Sequence, residues 1–274
     1  MPLSITAFQG RAGDRNDLGI PGALALATAL ARRLALPLAT IGAPRPALNA
    51  DWRIELAAAA PDLRKLADHL TVQLLAKRTP VTVLNRCAAA IATIPRVAAH
   101  HPDACVVWFD AHADLNTPDS STTGYLGGLA LSAPAGLWDS GFGRNLPLSS
   151  IVLVGSRDLD PFETELVVSG KVRLVAPDTP HLADAVIEAV ANRPVYVHLD
   201  CDVLEPGLVP TDFRVDGGLS LQSLHAVFSA LSTTTLIGLE IAEFQSSWEP
   251  GLEPASPTGL LDAIQPLLSA LLTR

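Results

Sequence analysis

The sequence predicts an α/β protein in which a mostly parallel sheet carries helices on both faces. Short apolar runs rich in Val and Ile alternate along the chain with longer Ala- and Leu-rich segments, an order typical of a doubly wound sheet. Two of the apolar runs end in acidic residues two positions apart. Hydrophobic residues make up 49 % of the 274 residues and charged residues 17 %, which is sufficient for a large core. Because no repeat or linker interrupts the pattern, we expect one domain over residues 1–274.

The predicted strands are short, apolar and bounded by Gly, Pro or polar residues. In chain order they cover residues 4–8, 38–41, 80–84, 106–109, 150–155, 172–175, 195–199 and 236–241. The predicted helices are longer, and the one over 62–77 has leucines at helical spacing on one face. The others cover residues 23–36, 87–99 with an interruption at Pro95, 127–131, 162–169, 182–191, 221–231 and 258–272. This alternation makes the connections crossovers between parallel strands.

The most informative segment is the strand over 106–109 and the residues that follow it. Asp110, His112 and Asp114 occupy every second position, and alternate residues of an extended chain point to the same side. The three side chains therefore converge if the chain stays near-extended past the strand end. Two carboxylates and an imidazole suit a divalent cation such as Mn²⁺ or Zn²⁺.

A second strand ends in the same way, with Asp200 and Asp202 two positions apart. Five ligand-type side chains exceed what one ion requires, whereas two ions about 3.5–4 Å apart with bridging carboxylates would use them all. The alternative interpretation is that the acids cap helices or stabilise turns. Two matched motifs favour the metal site, because one such motif alone often arises by chance.

The composition limits the classes of partner and the compartment. A formal net charge of −9 disfavours nucleic acid as a partner. The cysteines, Cys87, Cys105 and Cys201, form an odd and sparse set that is typical of a reducing compartment. The start of the sequence lacks the basic region of a signal peptide, and charge or Pro interrupts the apolar runs. We therefore expect a cytoplasmic protein without membrane association.

Four motifs resemble those of the ureohydrolase superfamily, which includes arginase, agmatinase and formimidoylglutamase. The runs 110–116 (DAHADLN) and 200–202 (DCD) resemble its two metal motifs. The run 155–161 (GSRDLDP) resembles a turn of the family, and 238–243 (GLEIAE) resembles its last strand. The order and spacing fit over residues 78–245, which makes the combination specific. The chain is thus similar to a divergent member of this superfamily that lacks its Gly-Gly-Asp-His-Ser motif.

The resemblance implies a three-layer, doubly wound fold with a central eight-stranded sheet, in a homo-oligomer that is a trimer or a hexamer. It implies two Mn²⁺ ions bridged by Asp110 and Asp200. His112 and Asp202 would complete one site, and Asp114 would hold the other ion and orient a hydroxide. The implied reaction is hydrolysis of a linear C–N bond in a guanidino or formimino compound by attack of metal-bound hydroxide.

The resemblance also implies contacts with a small-molecule substrate. Glu243 would pair with the guanidinium, a strong and charge-assisted kind of contact, and would be catalytic together with Asp114. The residues implied to hold the amino-acid end of the substrate are Asn116, Ser121, Thr123, Asp158 and Asp160, with Glu163 beside them.

One ligand of the second metal site departs from the family pattern. The histidine of the missing motif falls on Cys87, where a thiolate would favour Zn²⁺ over Mn²⁺. We expect Cys87 instead to pack in the core, as free cysteines usually do, and Arg86 beside it would repel a cation unless it points away. The proton-carrying histidine of arginases aligns with Gly127, and a substrate-binding asparagine aligns with Tyr125. One firm metal site and one weakened site are therefore expected.

These departures leave two alternatives open. One is a catalytically weak or inactive family member with one metal site. The other is a deacetylase-like amidohydrolase with a single Zn²⁺, although neither motif supplies the second histidine that it would need as a base. We expect His198 to be a buried structural histidine and Cys201 to lie in the core. The loop 10–22, which includes Asp14 and Arg15, is expected to be solvated.

Overall fold

A computed structural model describes residues 2–273, in which eight strands form one sheet. The strands are β1 (Leu3–Phe8), β2 (Leu38–Ile41), β3 (Thr79–Val83), β4 (Cys105–Phe109), β5 (Ile151–Val154), β6 (Arg173–Val175), β7 (Val195–Asp200) and β8 (Leu236–Ala242). Their order across the sheet is β2-β1-β3-β8-β7-β4-β5-β6, and every neighbouring pair is parallel. The prediction of a doubly wound parallel sheet is confirmed.

Helices cover both faces of the sheet. They are α1 (Gly19–Leu34), α2 (Trp52–Leu75), α3 (Ala90–His100), α4 (Pro161–Val168), α5 (Leu182–Val190), α6 (Leu221–Leu231), α7 (Thr258–Ala263) and α8 (Gln265–Leu272). Apolar residues of α1, α5, α6 and α8, including Leu26 and Leu224, belong to one buried cluster. Those of α2, α3 and α4, including Leu63 and Ile94, belong to another. Within residues 2–273, no helix has the length and apolar character needed to cross a bilayer.

Helix α2 begins ten residues earlier than the sequence pattern predicts. It starts at Trp52 and runs through Pro61, although a proline removes a backbone donor and normally interrupts a helix. Its buried face continues on both sides of the proline, at Ala59 and Leu63, so packing against the sheet outweighs the local preference. Asp51 caps the first turn by accepting a 3.0 Å hydrogen bond from a backbone N–H.

Two other helical segments also differ in their course from the prediction. The closing segment forms α7 and α8 with a break at Ile264, because Pro266 has no backbone N–H to continue the ladder of α7. Helix α3 follows a 3₁₀ turn over Cys87–Ala89 and passes through Pro95 without a break. This turn holds Cys87 directly after the end of β3.

The strand order brings four chemically important strand ends together. Strands β3, β8, β7 and β4 are consecutive in the sheet, and because they are parallel their carboxyl ends meet at one edge. They lead to Cys87, Glu243, Asp200 and Asp110, respectively. Residues that are far apart in the sequence therefore become neighbours in the crevice where a doubly wound sheet binds its ligands.

Helix α1 makes a close backbone contact at Gly22. A Cβ atom added there would overlap the carbonyl oxygen of Phe244 and lie 2.7 Å from the carbonyl carbon of Gln245. The helix therefore lies against the segment that follows β8 and carries Glu243. Gly259 in α7 has ordinary space, because an added Cβ would lie 3.4 Å from a methyl carbon of Leu221.

We expect Gly22→Ala to lower the free energy of unfolding by about 1–3 kcal/mol, the usual cost of overpacking. Gly259→Ala, the matched control in a helix with space, is expected to leave it unchanged or raise it by about 0.4–1 kcal/mol. Urea denaturation followed by circular dichroism measures both values. Equal effects of the two substitutions would contradict the close approach of α1 to the segment after β8.

Candidate active site

A cavity of about 220 Å³, lined mainly by polar and charged residues, lies at the carboxyl edge of the sheet. Every predicted metal, catalytic and substrate residue lines it except Asp110, which is fully buried next to His112. The lining residues are Arg15, Cys87, His112, Asp114, Asn116, Ser121, Thr123, Tyr125, Gly127, Gly128, Asp158, Asp160, Glu163, Asp200, Asp202, Phe213 and Glu243. The two acidic motifs and the loops after them therefore enclose one site.

His112 joins the two acidic motifs. Its Nδ1 lies 3.2 Å from Asp110 Oδ1 and 3.2 Å from Asp202 Oδ2. Asp110 Oδ2 accepts a 2.9 Å hydrogen bond from the indole of Trp108, and Asp202 Oδ1 accepts one of 3.0 Å from the backbone N–H of Ala111. These donors fix the outer oxygens, so the inner oxygens and the imidazole face a common point.

Cys87 faces the carboxylates. Its Sγ donates to Asp200 Oδ2 at 2.8 Å and lies 3.2 Å from His198 Nε2. Ligand atoms of Cys87, Asp110 and Asp114 also lie within 4.8 Å of one another. The residue is buried, but the expectation that it only packs in the core is wrong, because its thiol points into the acidic cluster.

Two site residues have a backbone conformation that residues other than glycine rarely adopt. The φ angle is 53° at Asp114 and 65° at Glu243, and such left-handed residues concentrate at functional sites. The chain therefore does not stay extended through Asp114 as expected. A turn directs this carboxylate inward, and its carbonyl accepts backbone hydrogen bonds from Leu131 at 2.9 Å and Ser132 at 3.1 Å.

Burial raises the pKa of most acids in the cluster. It raises the pKa of Asp110 to about 7, with the charge of Asp202 adding to the rise and the hydrogen bond from His112 opposing it. Burial and the charge of a neighbouring aspartate also raise the pKa of Asp114 and Asp200. The pKa of Asp202 is lowered because its contacts with His112 outweigh burial. Carboxylates packed this closely do not all ionise without a compensating cation.

The donor set fits a divalent cation. Three groups have ligand atoms within 4.8 Å of one another: Cys87 with Asp110 and Asp114, Cys87 with Asp200 and Glu243, and Asp110 with His112 and Asp202. Carboxylates and an imidazole suit Mn²⁺, whereas the thiol adds a ligand that suits Zn²⁺. The chemistry of these side chains therefore fits one or two divalent ions.

A buried ion pair holds Glu243. Arg86 Nη1 donates to Glu243 Oε2 at 2.8 Å, and the backbone N–H of Cys87 donates to Oε1 at 2.9 Å. Arg86 is 0 % exposed and also pairs with Asp14 at 3.3 Å and Asp212 at 3.1 Å. Burial raises the pKa of Glu243 to about 7, and the Arg86 guanidinium opposes this rise. Arg86 thus pairs with Asp14, Asp212 and Glu243, of which only Glu243 belongs to a candidate ligand group. The expectation of a solvated Asp14 is wrong, because this residue is buried.

The predicted substrate residues form the outer wall of the cavity. Asn116 Nδ2 donates to Asp160 Oδ2 at 2.6 Å. Glu163 accepts hydrogen bonds of 2.9 Å from the backbone N–H groups of Asp160 and Leu115, and the first of these closes a capping box at the start of α4. The other wall residues are Ser121, Thr123 and the exposed Asp158.

A buried polar network connects β7 and β8. His198 Nδ1 lies 2.6 Å from Glu240 Oε1, and Glu240 Oε2 accepts from Tyr196 at 3.0 Å and Thr93 at 2.7 Å. The imidazole stacks on the indole of Trp108 with a centroid distance of 3.4 Å. The prediction of a buried, hydrogen-bonded His198 is confirmed.

Arg15, Tyr125 and Phe213 line the cavity although they were not among the predicted site residues. The Arg15 guanidinium carbon lies 5.5 Å from the ring centroid of Tyr125 and 5.1 Å from that of Phe213. Arg15 was expected to be solvated and is exposed, but it also borders the cavity. Its position in the loop after β1, at the carboxyl edge of a parallel sheet, was the available signal.

The sequence comparisons identify the family. A family model described as Arginase family matches residues 57–256. N(omega)-hydroxy-L-arginine amidinohydrolase of Streptomyces lavendulae is 39 % identical to the chain over 272 residues, which cover 99 % of each protein. The chain belongs to the arginase family. The prediction of this family from four motifs, and of a ureohydrolase-type amidinohydrolase, is confirmed.

Other arginase-family proteins match less of their own length or share only the fold. An arginase of Schizosaccharomyces pombe is 31 % identical over 203 residues, which cover 66 % of this chain and 61 % of that protein. The crystal structure of arginase from Bacillus subtilis has a TM-score of 0.82 at 22 % identity, covering 100 % of this chain and 99 % of that one. This likeness supports the arginase fold described above.

The chain has two tyrosines, which allow a matched test of the network. Tyr196→Phe removes a donor to Glu240, and we expect it to lower the free energy of unfolding by about 1–3 kcal/mol. The Tyr125 hydroxyl is buried without a hydrogen-bond partner within residues 2–273, so Tyr125→Phe should leave stability unchanged or raise it. Chemical denaturation measures both, and equal losses would refute this account of the network.

Proposed function

We propose that the chain hydrolyses the guanidino group of N-hydroxy-L-arginine or a close analogue. The observation that carries this proposal is the pair of ligand groups at one cavity, Asp110 with His112 and Asp202, and Asp200 with Cys87 and Glu243, each with ligand atoms within 4.8 Å of one another. The relative that is 39 % identical over nearly its whole length is named N(omega)-hydroxy-L-arginine amidinohydrolase. This name supports the choice of substrate.

The same residues support two sites for divalent ions. One site would use Asp110, His112, Asp200 and Asp202, and the other would use Cys87 and Asp114 with Asp110 and Asp200 shared. A divalent ion in such a site supplies Lewis-acid activation of water near neutral pH. The predominance of carboxylates favours Mn²⁺, and the thiol makes the second site weaker for Mn²⁺ and more suitable for Zn²⁺.

Glu243 would bind the guanidino N–H groups of the substrate. Each carboxylate oxygen can accept more than one hydrogen bond, so the contacts with Arg86 and Cys87 leave acceptor capacity on the cavity side. Asp114 would accept a hydrogen bond from the attacking water and orient it, since its inward turn directs the carboxylate into the cavity.

The reaction consumes one water and breaks one C–N bond. The water oxygen becomes the carbonyl oxygen of N-hydroxyurea. One water proton passes to the departing amine nitrogen and the other to the nitrogen that carries the hydroxyl, so the products are an amine and N-hydroxyurea. Asn116, Ser121 and Thr123 would hold the carboxylate end of the amino acid, and Asp158 and Asp160 would attract its ammonium group.

We also propose one metallohydrolase domain over residues 1–274 that acts in the cytoplasm as a trimer or hexamer, without nucleic-acid or membrane partners. Three buried free cysteines support a reducing compartment, and the net charge of −9 supports the absence of nucleic acid. The family resemblance supports the assembly, which light scattering of the purified chain would measure.

We expect Asp110→Asn to lower kcat/KM for N-hydroxy-L-arginine by at least about 100-fold, because it removes a carboxylate shared by both proposed ions. Asp103→Asn makes the same charge change at an exposed position and should leave the rate unchanged. Release of N-hydroxyurea by the Mn²⁺-loaded chain measures the activity. Absence of turnover with guanidino substrates would favour an inactive family member, and turnover of an acetylated amine would favour the deacetylase alternative.

We expect the wild-type chain to bind one Mn²⁺ tightly and a second more weakly, because the second set contains a thiol. Cys87→Ala should retain the tight ion and lose the weaker one. Cys105→Ala, the control at a buried cysteine that starts β4, should retain both. Elemental analysis during Mn²⁺ titration measures the stoichiometry, and two equally tight ions, or an unchanged second ion in Cys87→Ala, would contradict this assignment.

A further inference from the structure

The hydroxyl of Tyr125 is a buried polar group in the wall of the cavity. No hydrogen-bond partner for its oxygen exists within residues 2–273, although the residue lines the same cavity as Glu243 and the acidic cluster. Buried polar groups in native proteins nearly always have a partner, so each exception requires an explanation. Because Tyr125 borders the cavity, a ligand bound against this wall can supply the missing partner.

The ring of Tyr125 is held where its hydroxyl cannot easily turn away. It lies over Gly127, where an added Cβ would overlap a ring carbon of Tyr125 and lie 3.0 Å from the hydroxyl oxygen. On its other sides are Phe213, with a centroid distance of 5.5 Å, and the Arg15 guanidinium carbon at 5.5 Å. Because Gly127 has no side chain, the phenol ring of Tyr125 can occupy this space.

The charges near the hydroxyl keep it protonated. Burial raises the pKa of Tyr125, the Glu243 carboxylate adds to the rise, and the Arg86 guanidinium opposes it. The hydroxyl therefore keeps its proton and can act as a donor. Because Arg86 already pairs with Glu243 at 2.8 Å, a fully charged substrate guanidinium would meet a like charge there, whereas an N-hydroxyguanidine is less basic.

We propose that Tyr125 is a specificity-determining residue whose hydroxyl forms a hydrogen bond with the N-hydroxyl oxygen of the substrate. This inference rests on the proposed function and deepens it, because it assigns the group that distinguishes an N-hydroxyguanidine from a guanidine. A substrate without the N-hydroxyl leaves the tyrosine unpaired in a buried site. Sites built to hydrogen-bond a substrate hydroxyl reject the analogue that lacks it far more strongly than apolar pockets reject a size difference.

The test compares kcat/KM for N-hydroxy-L-arginine and L-arginine in the Mn²⁺-loaded wild type and Tyr125→Phe. We expect the substitution to lower the value for N-hydroxy-L-arginine by at least about ten-fold and to change that for L-arginine by less than about two-fold. Gly127→Ala, which displaces the ring, should shift the preference in the same direction. Tyr196→Phe removes a buried hydroxyl outside the cavity and should leave the ratio of the two values unchanged.

Two results would overturn the inference: no preference for the N-hydroxy substrate in the wild type, or an equal loss for both substrates in Tyr125→Phe. Calorimetric binding of both compounds to Asp114→Asn, with and without Tyr125→Phe, measures the same selectivity without hydrolysis. A wild type that turns over neither compound would therefore count against the proposed function, while the binding ratio would still decide the role of Tyr125. An unchanged binding ratio would count against that role.

Discussion

The burial of several carboxylates at one edge of the sheet is the constraint to which the rest of the site responds. Asp110 follows β4 and Asp200 is the last residue of β7, and both side chains are buried, so water stabilises their charges poorly. Burying an unpaired charge is strongly unfavourable. The surrounding chain therefore supplies fixed donors, namely the Trp108 indole and the backbone N–H groups of Ala111 and Asp202. These donors compensate only part of the negative charge of the carboxylates, and a divalent cation can balance the rest.

The chain balances the negative charge of this edge in two different ways. Asp14, Asp212 and Glu243 are balanced by the guanidinium of Arg86, which belongs to the chain itself. Within residues 2–273, no arginine or lysine forms an ion pair with the cluster around Asp110, which instead has the imidazole of His112 beside it. The charge of Arg157 acts on Asp202 and Asp110, but its guanidinium donates to the backbone carbonyl of Asp202. Glu243 lies at the boundary between the two regions. Its position explains how a carboxylate can be fixed by the protein and still face a ligand.

The parts of the site that could be predicted from sequence are those that depend on local geometry. The choice of His112 and of the acids at the ends of β4 and β7 required only the strand ends and the direction of parallel strands. The strand period itself does not position them, because β4 ends at Phe109 and Asp202 lies in a 3₁₀ turn. Asp114 shares the motif, but its turn depends on backbone bonds to residues 131 and 132, which no local pattern encodes. In the same way, the buried face of α2 carries the helix through Pro61 despite its local preference.

The partners of Arg86 and Tyr125 could not be read from sequence because they come from distant elements. Arg86 meets Asp14 from the loop after β1 and Glu243 from the end of β8. From sequence alone, a cation next to a metal motif is unfavourable. Only the three-dimensional arrangement shows that its guanidinium points to other acids. The role of Gly127 is equally hidden, since a missing side chain matters only where another ring occupies the space.

Cys87 does not simply replace a ligand histidine, because its thiol belongs to a network of polar side chains. Its sulfur lies between Asp200 Oδ2 at 2.8 Å and His198 Nε2 at 3.2 Å. When His198 donates from Nδ1 to Glu240, its Nε2 is an acceptor, so His198 and Asp200 are alternative acceptors for the single thiol proton. Partners behind a ligand orient it and tune its basicity. An imidazole is therefore still present at this end of the site, where it contacts the sulfur of Cys87. This contact orients the thiol toward the carboxylates.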